Sequence, residues 1–158
     1  MKKTLVTYFS ASGVTKGLAD RLARAIHADL FAIEPVVPYT NADLNWRDKD
    51  SRSSVEMRDR SSRPEIHTRA DHMGQYEVVF VGFPIWWYRE PSIIDTFMEA
   101  YDFSGKTVIP FATSGGSGLG DSAQNLAALA PHAHIKDGQL FSSSASEEEL
   151  SAWAAKWL

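Results

Sequence analysis

The chain has 158 residues, 44% of them hydrophobic, with 16 Lys and Arg against 20 Asp and Glu and no cysteine. That length supports one domain with a full core, and the missing cysteines exclude disulfides, thiolate nucleophiles, Cys-ligated zinc and iron–sulfur clusters. A formal charge of −4 lacks the basic face of a nucleic-acid binder and offers nothing to an anionic membrane.

Thr4 to Phe9 reads as a strand. After Ser10-Ala11-Ser12-Gly13, the residues Val14, Leu18, Leu22, Ala25 and Ile26 recur at helical spacing, with Lys16, Asp20, Arg21 and Arg24 on the wet side. The same serine- and glycine-bearing stretch ends the apolar run after Lys2 and Lys3 too early for a signal peptide, and the expected location is the cytoplasm. Leu30 to Ile33 is a second strand, so the chain opens β-α-β. Residues 36–63 then break the rhythm with mixed Arg and Asp, and read as a surface excursion containing a short helix.

Thr68 to Gln75 is polar and read as helical. Val78 to Phe83 is unbroken and apolar, which suits a strand covered on both faces. The run from Val78 to Tyr88 is too short for a bilayer span, which needs about 20 residues. A helix begins near Pro91, and Thr107 to Ala112 follows as a strand, although Pro110 argues against a central position. A helix from Asp121 or Ser122, a weak strand over Ile135 to Phe141, and a last helix opened by the capping box Ser146-x-x-Glu149 complete the chain. Five strands alternating with about five helices predict an α/β fold with an open parallel sheet. Its ligand would sit beyond the carboxyl ends of the strands.

Three strand ends carry unusual loops. The first, Ser10 to Thr15, offers hydroxyls and a glycine at a helix start, where unpaired N–H groups and the dipole favour an anion. An ordinary cap by Ser12 is the plainer alternative. The second, Phe83-Pro84-Ile85-Trp86-Trp87-Tyr88, holds three adjacent aromatics that cannot all point into a core, so at least one lies on the surface or on a ligand. The third, Thr113-Ser114-Gly115-Gly116-Ser117-Gly118-Leu119-Gly120, lets a backbone approach a ligand closely. It lacks the Gly-Lys-Ser/Thr of a P-loop, the last glycine of a dinucleotide fingerprint, and the final glycine of a nucleophile elbow at Ser117. His132-x-His134 has no evident third ligand for a metal.

Ser10-x-Ser12-Gly13-x-Thr15 matches the phosphate pattern Ser/Thr-x-Ser/Thr-Gly-x-Thr, and the chain resembles short bacterial members of the flavodoxin-like family. The blocks Gly82 to Trp87 and Gly105 to Gly116 extend that likeness over nearly the whole chain. The resemblance implies a single flavodoxin-like domain, a three-layer sandwich with a five-stranded parallel sheet of order 2-1-3-4-5, binding FMN. It implies that Ser10, Ser12, Gly13, Val14 and Thr15 hold the phosphate. Pro84, Ile85, Trp86 and Trp87 would flank the ring, and Thr113, Ser114, Gly115 and Gly116 would line its other side. Where flavodoxins carry a glycine-containing turn beside the flavin, this chain has Trp87-Tyr88-Arg89-Glu90. The expected function is electron transfer between a reductase and an acceptor protein, with no catalytic acid, base or nucleophile. The alternative is an FMN-dependent NAD(P)H:quinone or nitro-compound reductase acting on a small-molecule acceptor. A further expectation is that Tyr39 or Trp46 folds over the cofactor.

Overall fold

The computed structural model describes residues 2–113 and 118–158. Strands β1 (Thr4–Tyr8), β2 (Asp29–Ala32), β3 (Val78–Pro84), β4 (Thr107–Thr113), β5 (His134–Ile135) and β6 (Gln139–Leu140) form one parallel sheet. Its order is β2-β1-β3-β4-β5, with β6 also paired to β4. The expected strand over 135–141 is thus two short pieces in one sheet position. The helices are α1 (Val14–Ile26), α2 (Arg52–Arg58), α3 (Ser92–Ala100), α4 (Ser122–Leu129) and α5 (Glu147–Ala154).

The unbroken apolar run of β3 is explained by burial on both faces. Val79, Val81 and Phe83 pack with Ile94, Phe97 and Leu126 on one side. Val78 and Phe80 pack with Leu18, Leu22, Leu150 and Trp153 on the other. Successive side chains of a strand point to opposite faces, so helices above and below leave no position for a polar residue. Gly82 is the exception in size. A Cβ at Gly82 would lie 2.3 Å from Cζ of Phe111, whose ring fills that space.

Pro110 does occupy a central strand, in register with Val81. The carbonyls of Val108 and Ala112 accept from Lys136 and Phe141, so the even-numbered residues of β4 face β5 and β6. The amide that Pro110 lacks would therefore point into the gap between β5 and β6, where no partner strand runs. Proline and strand break explain each other.

The excursion is closed at its neck. Pro35 bridges Ile66, the amide of Val36 donates to Glu65 at 2.9 Å, and that of His67 donates to Glu34 at 2.6 Å. Ser51 caps α2 by accepting from the amide of Ser54, and Met57 is buried. Thr68 to Gln75 is not the expected helix, and only Met73–Gln75 makes a 3-10 turn. The Thr68 hydroxyl accepts from Glu34 and donates to Ala32, which holds this segment beside β2 in place of a helical ladder.

Candidate functional site

The loop between β1 and α1 begins at Ser10, whose Oγ accepts from the amide of Gly13 at 3.0 Å. Gly13 takes φ 93°, a left-handed conformation suited to glycine, and starts α1 with no side-chain cap. Helices α2 and α5 are capped by Ser51 and Ser146. Ser12 does not cap α1, and its side chain is exposed. The first amides of this 13-residue helix thus remain available at its positive end. Val14 is exposed beside them, whereas Thr15 is buried. The Thr15 and Thr113 hydroxyls lie 2.8 Å apart, which ties the first loop to the end of β4.

The aromatic loop leaves β3 at Pro84. The Ile85 amide donates to the Thr113 carbonyl at 3.0 Å. Trp86 and Arg89 then exchange two backbone hydrogen bonds, 3.0 and 3.2 Å long. Between them Trp87 and Tyr88 take φ 48° and 66°. This is the two-residue turn in which both central residues are left-handed, normally filled by Asn-Gly. Non-glycine residues pay about 1 kcal/mol each for that conformation. Trp86 turns inward, edge-on to Phe9 at 5.7 Å and Tyr39 at 5.5 Å, while Trp87 and Tyr88 are exposed. The Tyr88 carbonyl accepts from the Asp121 amide at 3.3 Å and lies where a Cβ on Gly120 would come within 1.9 Å.

Two cavities open at these strand ends. One of about 340 Å³ is lined by Ser12, Val14, Pro84, Ile85, Trp86 and Thr113, joined by Phe141 and Ser143. The other, about 140 Å³, shares Ser12, Pro84 and Trp86 and adds Ala11, Thr15 and Trp87, with Leu44, Trp46 and Ser53 from the excursion. Segments from the first two loops and the end of β4 therefore meet at one place. Ser114, Gly115 and Gly116 lie outside the described residues. Phe141 and Ser143 were missed by the sequence reading, though they follow the last strand, the side where ligands of such sheets bind. Trp46 reaches the smaller cavity; Tyr39 packs behind Trp86. The Tyr39 hydroxyl donates to Glu56 at 2.5 Å, and burial together with that bond pushes its phenol above the ordinary range.

Directly after the turn stands a buried charge cluster that sequence reading also missed. Arg89, Glu90 and Asp95 are all nearly inaccessible. Arg89 donates to Met57 O at 3.2 Å and Ser92 Oγ at 3.4 Å, and lies 3.4 Å from both Glu90 and Asp95. Asn125 donates to Glu90 at 3.0 Å and accepts from Arg60 at 2.8 Å. Arg63 stands 4.0 Å from Asp95 and bonds Glu99. Burial, then a hydrogen bond and the charge of Glu90, push the Asp95 carboxyl from 3.8 up to about 8, against Arg89 and Arg63. Asp95 Oδ1 is buried with no hydrogen-bond partner among the described residues.

The fold therefore binds one more proton here than the unfolded chain does between pH about 4 and 8. The stabilisation is complete below that window and is lost progressively as pH rises across it to the folded-state value. We expect Asp95→Asn to flatten the fall in Tm between pH 5 and 9, measured by thermal unfolding; parallel profiles would show that Asp95 is ionised throughout.

Among the described residues no helix is long and apolar enough to cross a membrane, and no cluster of side chains could hold a metal ion. No curated protein matches the chain. Candidate flavoproteins from Bacteroides eggerthii and Bacteroides uniformis share 47% and 45% identity. Their TM-scores are 0.93 and 0.92, over 99% and 98% of this chain and 98% of each of theirs. A flavoprotein from Lactobacillus acidophilus, solved in complex with FMN, shares the fold at 21% identity and a TM-score of 0.71, over 98% of this chain and 99% of its own. The flavodoxin family profile matches residues 3–157. With its sheet order and the loops gathered at the carboxyl ends of β1, β3 and β4, this chain belongs to the flavodoxin family.

Proposed function

We propose that the protein binds FMN non-covalently and passes electrons from a reductase to an acceptor protein. The observation that carries this reading is the uncapped start of α1, opening beside the cavity walled by Pro84, Ile85, Trp86 and Thr113. A dianion suits free amides at a positive helix end, and a flat heteroaromatic ring suits indole and proline walls. The residues therefore fit the cofactor, and the FMN complex of the Lactobacillus acidophilus protein supports the choice. Ser10, Ser12 and the amides of Val14 and Thr15 would hold the phosphate. Ile85, Trp86 and Trp87 would flank the ring, with Thr113 opposite.

Bound FMN supplies the one- and two-electron chemistry. The chain orients it, and presents Trp87 and Tyr88, 44% and 71% exposed, at the mouth where a protein partner would dock. Aromatic residues of this kind are enriched at interfaces. We place the protein in the cytoplasm, a reducing compartment with which a chain free of cysteine agrees.

The cleft walled by Trp46, Trp86 and Trp87 favours a second reading, a reductase of quinones or nitro compounds. Its 140 Å³ is close to the about 150 Å³ of an engineered cavity that takes benzene. Fluorescence titration of the apoprotein with FMN tests the shared part, and saturation at one FMN per chain is expected. Turnover of NADPH and a quinone should then be slow until a reductase is added. Fast turnover by the holoprotein alone replaces the carrier with the enzyme.

A further inference from the structure

The cluster under the aromatic turn is costly to build. Charges taken out of water are repaid only by good partners, and here Arg89 must serve two carboxyls, two backbone carbonyls and a hydroxyl at once. Its position supplies a reason. Arg89 closes the turn whose central residues, Trp87 and Tyr88, are both left-handed without being glycine. Its guanidinium draws together the excursion through Met57 and helix α3 through Ser92 and Asp95. Glu90, held by Asn125, extends the same network to α4 and Arg60. The excursion, α3 and α4 are thus all fastened to this network.

We propose that Arg89 is a positioning residue for the cofactor site: its buried guanidinium holds the Trp87–Tyr88 turn in its left-handed form and thereby sets Trp87 at the cavity wall. The carboxyl pair that faces it, Glu90 and Asp95, is balanced by Arg89 and, from the excursion, by Arg63, which Glu99 also engages. The inference rests on the FMN reading for its second half only, because the state of the turn can be measured without cofactor.

The test uses Arg89→Met with Glu90→Gln and Asp95→Asn, which removes the guanidinium without stranding a buried charge, and the same triple variant with Tyr88→Gly added. Hydrogen exchange in the apoprotein reads the amides of Trp86, Arg89 and Asp121, with Val79 and Phe80 of β3 as an internal reference. In the triple variant the three turn amides should exchange at least about tenfold faster while β3 stays protected. FMN should bind about tenfold more weakly, equivalent to about 1.4 kcal/mol, with an altered visible circular dichroism of the bound flavin. Glycine carries no left-handed cost, so Tyr88→Gly should restore both protection and affinity.

Unchanged turn amides, or equal acceleration in β3, would overturn the proposal, since Arg89 would then be idle or a general stabiliser. Faster turn exchange with unaltered FMN affinity and dichroism would overturn the positioning role. Failure of the unmodified protein to bind FMN would defeat the proposed function, and the exchange measurement would still decide whether Arg89 holds the turn.

Discussion

Replacing Ser12 with aspartate is expected to weaken FMN at least about a hundredfold while leaving riboflavin nearly unaffected. The side chain is exposed at the uncapped start of α1 and lines both cavities. Two unit charges about 4 Å apart interact by about 4 kcal/mol at the effective dielectric of a protein surface. Screening by solvent and salt at this open position reduces that, and about 3 kcal/mol remains a reasonable figure against a dianion. Riboflavin has no phosphate and meets none of this repulsion. The empty protein should not suffer, because a carboxylate at a helix start is favoured by the dipole. Parallel titrations with the two flavins, alongside a thermal scan, make the measurement. Equal weakening of both would place the phosphate away from α1.

Gly82→Ala is the second large effect, and it falls on stability. The new Cβ would lie 2.3, 2.5 and 2.9 Å from three atoms of the Phe111 ring. That ring is fully buried and packs edge-on to Trp153, with centroids 6.5 Å apart. It cannot move without disturbing the core between the sheet and helices α1 and α5. Overpacking of this kind costs up to about 3 kcal/mol, a fall in Tm of roughly 6–12 °C for a chain of this size. Phe111→Leu in the same chain should recover most of the loss by vacating the space. Chemical denaturation of the single and double variants reads the coupling directly. If the two losses simply add, Phe111 is not what excludes a side chain at Gly82.

The parts of this architecture that were legible from sequence are those in which local pattern and tertiary environment agree. Val78 to Phe83 could only be a strand covered twice, and Ser146-x-x-Glu149 does open α5, with the Glu149 amide donating to Ser146 Oγ at 3.1 Å. The loop before α1 was legible as a helix start, because glycine and hydroxyls gather at such positions, although Ser12 does not cap the helix. Thr15 shows the limit of that logic. Its hydroxyl lies against Thr113, 98 residues away, and no local spacing encodes such a partner.

The charge cluster was hidden for a similar reason. Arg89, Glu90 and Asp95 look like solvated residues around a helix start, and only the return of the excursion through Met57 and Arg63 buries them. The left-handed turn at Trp87 and Tyr88 was equally opaque, because the usual marker, glycine, is absent and the conformation is imposed from outside. Pro110 misled because its missing donor matters only if a neighbouring strand is there to receive it.

The interrupted edge beyond β4 has a consequence for how molecules of this protein meet. Strands β5 and β6 each expose only two residues of ladder, separated by a bend at Gly138, where φ is 78°. An unbroken row of free amides and carbonyls would invite another chain to add itself as the next strand. Here an incoming segment would find too short a template on either piece to gain register. Concentrated solutions are thus protected along this side from fibrous, edge-to-edge association.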